Sequence, residues 1–164
     1  MPKELTDLTV ETWGPIFWKL LHMLSTRVGN AGEVGDADAA TWFSFVVNGL
    51  PSVLPCATCQ DHTRTYLKEH KFDPCGFNDA ALRLYIERWL LDFHNAVRER
   101  KSQHILVETV EDYELIWRAA EFKPCDNESL ELFFKYGKMY HVIEVANHSR
   151  WLTHLKRLRL LLGV

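Results

Sequence analysis

The apolar positions of this chain recur at helical spacing almost from end to end. The clearest run is Leu82, Tyr85, Ile86, Trp89, Leu90, Phe93 and Val97. These residues fall three and four apart and form one continuous stripe. The stripe predicts a helix that opens after an N-cap at Asn78 and runs to about Lys101. An earlier helix is expected to start near Pro15, a residue favoured in the first turn. Its residues from Ile16 to Leu24 are apolar nearly all round, which predicts burial on more than one side.

The polar, glycine-rich stretch from Gly29 to Asp38 reads as a loop. Asp36 or Asp38 is expected to cap a second helix through Trp42, Phe43, Phe45, Val46 and Val47. Pro51 and Pro55 close that segment, and a third helix opens near Cys56. Beyond Lys101 the pattern weakens. His104–Val107 reads as a short extended link, and Thr109 can cap a helix with Tyr113, Ile116 and Trp117. Pro124–Asn127 is expected to break it. Phe133–Val145 reads as helix, although Val142–Val145 also suits a strand. Arg150–Leu162 is a basic amphipathic helix by pattern. Helices with short connections bury such stripes best as a bundle, so the fold class is all-α.

Composition excludes several classes. The chain has 164 residues, 47% apolar and 25% charged, which is globular and not disordered. Nineteen basic and twenty-two acidic residues leave a net charge of −3, which argues against nucleic acid as a partner. No apolar run approaches the roughly 20 residues of a membrane span. The first residues carry acids and lack the apolar core of a secretory signal.

Four cysteines, Cys56, Cys59, Cys75 and Cys125, are too few for a disulfide-stapled scaffold. They suffice for one redox pair or one metal site. Cys56-Ala57-Thr58-Cys59 opens a helix directly after a proline, where backbone N–H groups stabilise a thiolate. Four readings stand side by side. Cys56, Cys59 and Cys75 approach a zinc spacing, with Cys125, His62 or His70 as fourth ligand. A thioredoxin-like oxidoreductase needs a βαβ context that is not visible. The pair can be inert. Or it forms a disulfide that works against a cofactor bound in a helical bundle. Trp18 and His22 share a helix face at i, i+4, and Trp89 and His94 mark the end of the later stripe, which favours the last reading.

Three motifs in order carry a family resemblance. They are Trp13-Gly14-Pro15-Ile16-Phe17-Trp18-Lys19-Leu20-Leu21-His22, then Leu54-Pro55-Cys56-Ala57-Thr58-Cys59, then Trp89 to Val97 with its His94-Asn95-Ala96-Val97 end. Together they resemble the Erv/ALR family of FAD-dependent sulfhydryl oxidases, over about residues 12–103. The Trp-Gly-Pro opening looks most like members encoded by large DNA viruses.

The resemblance implies a four- to five-helix bundle around FAD, here residues 1–104. Residues 105–164 would be an additional, mainly helical C-terminal region. It implies a homodimer, thiol-containing substrate proteins, and oxygen as electron acceptor. It points to the cytoplasm of an infected host cell, or the virion. Carried over by position, Cys59 would sit against the isoalloxazine as the charge-transfer thiolate. Cys56 would be the outer sulfur that substrate attacks. Gly14, Trp18, His22, His94, Asn95 and Val97 would line the FAD site.

The departures are specific. The family's arginine after the first glycine is Pro15, the aromatic before Pro-Cys is Leu54, and the last Asn of H-N-x-V-N is Arg98. Arg98, Arg100 or Lys101 would meet the pyrophosphate instead. Asp92 stands where the family often has a further histidine, and Leu91 where a structural disulfide would begin. Cys75 and Cys125 stay open as a disulfide, as free thiols or as a relay. No C-x-C or second C-x-x-C shuttle pair is present. The expected function is an FAD-linked thiol oxidase making disulfides in proteins. The alternative is a non-catalytic zinc- or FAD-binding interaction module.

Overall fold

In the computed structural model, which describes residues 9–105 and 109–164, the described residues form seven α-helices and no strand. The helices are α1 (Val10–Ser25), α2 (Gly32–Asn48), α3 (Ala57–Glu69), α4 (Asp79–Arg100), α5 (Val110–Trp117), α6 (Pro124–Met139) and α7 (Val145–Leu162). A 3₁₀ turn at Leu50–Ser52 links α2 to α3. The all-α expectation holds.

Several boundaries differ from expectation, each for a local reason. α1 starts five residues before Pro15, which lies inside the helix. The carbonyl of Thr9 accepts from the N–H groups of Thr12 and Trp13, so the first turn closes ahead of the proline. Proline removes one donor, and the acceptor it deprives is the carbonyl of Glu11, an exposed residue in the first turn. Asp36 and Asp38 do not cap α2, which begins at Gly32. Asp36 is fully buried inside it, and its carboxylate accepts from the N–H of Ala31 (3.1 Å) and of Asp79 (2.8 Å). It therefore ties the entry of α4 to α2. Pro124 does not follow a helix but opens α6, where a missing N–H costs nothing. Val142 lies in the turn between α6 and α7, not in a strand, and α7 begins at Val145 rather than Arg150. Thr109 caps α5 as expected, its hydroxyl accepting from Asp112 N–H. Residues 106–107 of the expected extended link lie outside the described residues.

One hydrophobic core joins these elements. α1 packs on α4 and α6, and α7 lies along α2. Phe17 of α1 meets Phe134 of α6 edge-on at 5.7 Å, and Phe134 meets Trp151 of α7 at 5.5 Å. Each such side chain stabilises the fold by about 1.5–3 kcal/mol through burial. Lys19 and Asp126 add an ion pair of 2.6 Å between α1 and α6. Two longer-range bonds lock the C-terminal helices to the front of the molecule. The Trp151 indole N–H donates to Val46 O (2.9 Å). The Gln60 amide donates to Leu54 O (2.8 Å) and Val142 O (2.9 Å). No helix among the described residues is long and apolar enough to cross a membrane.

Candidate active site

Cys56 and Cys59 are joined as a disulfide, with Cα atoms 5.2 Å apart. Cys56 is the N-cap of α3, and its sulfur accepts from the Cys59 N–H at 3.2 Å. A helix N-terminus presents unpaired N–H groups and a positive dipole end, so a thiolate freed there is stabilised. Both cysteines are partly exposed. Cys75 and Cys125 are exposed and unpaired, so the disulfide expected as one option between them is not formed. Among the described residues no group of three or more His, Cys, Asp or Glu is placed to hold a metal ion.

The two cysteines of the pair are not equivalent. Cys59, and not Cys56, lines a cleft between α1, α3 and α4. Its walls are mainly aromatic and aliphatic, formed by Trp13, Phe17, Trp18, Leu21, Leu54, Phe93 and Val97, and Gly14, Arg100 and Lys101 also line it. A second cleft adjoins it. Gly14, Trp18, Val97 and Lys101 border both, and the second adds Glu11, His94, Arg98, Gln103 and Trp117. Trp18 thus stands between an aromatic slot that ends on a sulfur and a neighbouring slot that carries Arg98 and Lys101.

Behind Trp18 stands a stack of rings. Trp18 lies 4.0 Å from His94 and nearly parallel to it. His22 is fully buried beneath, stacked with both, and its Nε2 is 2.7 Å from His94 Nδ1. Its other nitrogen, Nδ1, is 2.7 Å from the hydroxyl of Tyr113 on α5. Burial, and then the neighbouring His94, hold His22 well below the ordinary histidine range. Burial, and then Arg98, push His94 down to about 3. Both rings are neutral at neutral pH.

The structure brings together Cys59, Gly14, Trp18, Val97 and Lys101 at the first cleft, and His94 and Arg98 at the second. His22 lines neither cleft, but packs behind Trp18, His94 and Trp117, which line the second. Asn95 borders neither, and faces a separate surface depression with Arg88, Leu91 and Asp92. Trp89 also stands away, its indole donating to His70 O. Sequence reasoning missed the roles of Trp13, Phe17 and Trp117 as walls and of Tyr113 as a partner of His22. Tyr113 and Trp117 are spaced i, i+4, the same signal that singled out Trp18 and His22.

Residues 15–118 match the Erv1 / Alr family. The chain belongs to the Erv1/Alr family. Among relatives of this Erv1/Alr chain, it is 33% identical over 107 residues to the "Putative FAD-linked sulfhydryl oxidase 347L" of Invertebrate iridescent virus 6. That match covers 65% of this chain and 94% of the relative. It is 28% identical over 127 residues to the FAD-linked sulfhydryl oxidase of African swine fever virus (isolate Pig/Kenya/KEN-50/1950), covering 77% of this chain and 89% of that one. No solved structure matches.

The paired clefts fit the cofactor that goes with this family. A flat, largely apolar ring system matches the aromatic slot against Cys59, and a pyrophosphate matches Arg98 and Lys101. The indole N–H groups of Trp13 and Trp117, one at each cleft, are buried without an acceptor among the described residues. Such orphaned donors suit a ligand that brings acceptors.

Proposed function

We propose that this protein is an FAD-linked sulfhydryl oxidase, a thiol oxidase that makes disulfides in substrate proteins with oxygen as electron acceptor. The observation that carries this is the asymmetry of the C-x-x-C pair, in which Cys59 ends the aromatic cleft and Cys56 does not. The FAD, when bound, supplies the two-electron chemistry that links the pair to oxygen and yields hydrogen peroxide.

The protein's own residues do the rest. A substrate thiolate attacks Cys56 Sγ, the Cys56–Cys59 bond breaks, and Cys59 leaves as a thiolate facing the cleft. The second substrate thiolate attacks the substrate sulfur of the mixed disulfide and releases Cys56. Its departure is eased because the α3 N-terminus stabilises the Cys56 thiolate. The substrate leaves as a disulfide, and two electrons remain on the reduced pair. Trp18 separates the two clefts, Arg98 and Lys101 would hold the pyrophosphate, and His94 with Val97 completes the walls.

We read residues 1–104 as the cofactor-binding bundle and residues 105–164 as an added helical region, whose described part brings Trp117 of α5 to the second cleft and joins the same core. The family relationship supports a homodimer, and the viral relatives support a place in the cytoplasm of an infected cell or in the virion. The acidic balance speaks against nucleic acid as a partner.

The test is spectroscopic and kinetic together. Purified protein carries a flavin absorption band and consumes oxygen with dithiothreitol, and Cys59→Ser stops consumption while the flavin stays bound. Colourless protein overturns the proposal, as does a Cys59→Ser variant with the parent rate.

A further inference from the structure

The hydrogen bonds behind Trp18 can be assigned proton by proton. The Ser25 hydroxyl has one hydrogen, and it goes to the carbonyl of His22 at 2.6 Å, which can only accept. The Ser25 oxygen is also 2.7 Å from the Tyr113 hydroxyl, so in that bond Tyr113 is the donor. Tyr113 has then spent its only hydrogen. Its oxygen, 2.7 Å from His22 Nδ1, must accept there, and His22 carries its proton on Nδ1. A neutral imidazole has one N–H, so His22 Nε2 is bare and accepts. Its partner at 2.7 Å, His94 Nδ1, is the donor. His94 Nε2 is left without a proton. Ser25, His22 and Tyr113 are fully buried, so water does not scramble the order.

We propose that Ser25 and Tyr113 are positioning residues that fix the tautomer of His94, so that it offers a bare Nε2 acceptor to the cofactor. This rests on the FAD reading above. The consequence is a choice of ligand chemistry. The cofactor group opposite His94 Nε2 is a donor: a ribose or ribityl hydroxyl, or the adenine amino group. It is not a phosphate oxygen, which has no hydrogen to give at neutral pH. The phosphates fall to Arg98, one turn further along α4, and to Lys101 at its C-cap, which border the same cleft. Hydrogen bond and charge are thereby divided along the C-terminal end of α4 and its cap.

Tyr113→Phe isolates the effect, since it keeps the ring that meets His22 edge-on at 4.9 Å and removes only the oxygen. The experiment is long-range proton–nitrogen NMR of the histidine rings in the flavin-loaded protein, with FAD affinity measured from flavin fluorescence. In the parent, both His22 and His94 carry their proton on Nδ1. In Tyr113→Phe the His22 proton loses its acceptor, both rings shift toward the Nε2–H form, and FAD binds about tenfold more weakly, the scale of one buried hydrogen bond. A proton on His94 Nε2 in the parent overturns the assignment. A Tyr113→Phe protein with parental tautomers overturns the role of Tyr113, whatever its affinity. Protein that takes up no FAD overturns the cofactor reading, whereas the ring tautomers are still read in that protein and decide the proton order alone.

Discussion

The indole of Trp18 and the imidazole of His94 lie 4.0 Å apart and 6° from parallel. One residue comes from α1 and the other from α4, so this stack is where the two helices meet at the cofactor clefts. Trp18 borders both clefts and stacks closer to His94 than His22 does, 4.0 Å against 5.0 Å between ring centres. Trp18→Ala is expected to weaken FAD retention about tenfold, the order of an aromatic pair beyond its area. Trp18→Phe keeps part of the wall and loses less. Equilibrium dialysis of the flavin reads both, and equal affinities for all three proteins would remove Trp18 from the site.

Glu87 is fully buried on α4, with the carboxyl group of Glu114 on α5 beside it. Burial, and then Glu114 beside it, push its pKa up to about 8. The folded state therefore keeps a proton that the unfolded chain releases near pH 4.5. Between those two values unfolding sheds a proton, so stability falls as pH rises from about 4.5 and the loss is complete above about 8. Glu87→Gln cannot ionise. Thermal unfolding followed from pH 5 to 9 should show a flatter profile for the variant, with the largest gain over the parent at pH 9. Parallel profiles would mean that Glu87 ionises freely.

Gly29 has a φ of +87°, and a Cβ there would sit 2.2 Å from the backbone carbonyl oxygen of Asp79. This is the close approach that sets the entry of α4 against the loop after α1. Gly29→Ala combines a disfavoured backbone with a clash against main chain, and is expected to cost about 1–3 kcal/mol. Urea unfolding measures it. A midpoint equal to the parent's would show that the loop yields freely.

Asp36 supplies the acceptor for two backbone N–H groups, on Ala31 and Asp79. Asp36→Ala leaves both without it and should cost about 1–3 kcal/mol, whereas Asp36→Asn keeps one acceptor oxygen and should cost less. The ranking, read in the same unfolding experiment, checks the bridging role. An Asn variant as unstable as the Ala variant would point to charge instead of acceptor geometry.

Much of this arrangement was legible in the chain. The i, i+3, i+4 stripe located α4 nearly to the residue, and the proline before Cys56 located the start of α3, because periodicity and capping are local. The motif residues Cys59, Trp18, His94 and Val97 reach the clefts, as does the nearby Lys101, whereas His22 and Asn95 line neither. What was hidden is what depends on distant partners. Asp36 looked like an N-cap, but its partner Asp79 is 43 residues away. Tyr113 lies 91 residues beyond His22, and no local spacing joins them. Asn95, adjacent to His94 in sequence, turns to another face because one residue on a helix is a rotation of about 100°.

Gly49 has no side chain, and the indole of Trp151 presses where one would be, while its N–H holds the carbonyl of Val46. The backbone so gripped leads within a few residues through the 3₁₀ turn into Leu54 and the redox pair. The last helix thus acts as a clamp on the leader segment of the disulfide. Chain shortening at the C-terminal end would be felt first as a loosened Cys56–Cys59 register, a change in reactivity, before it was felt as unfolding.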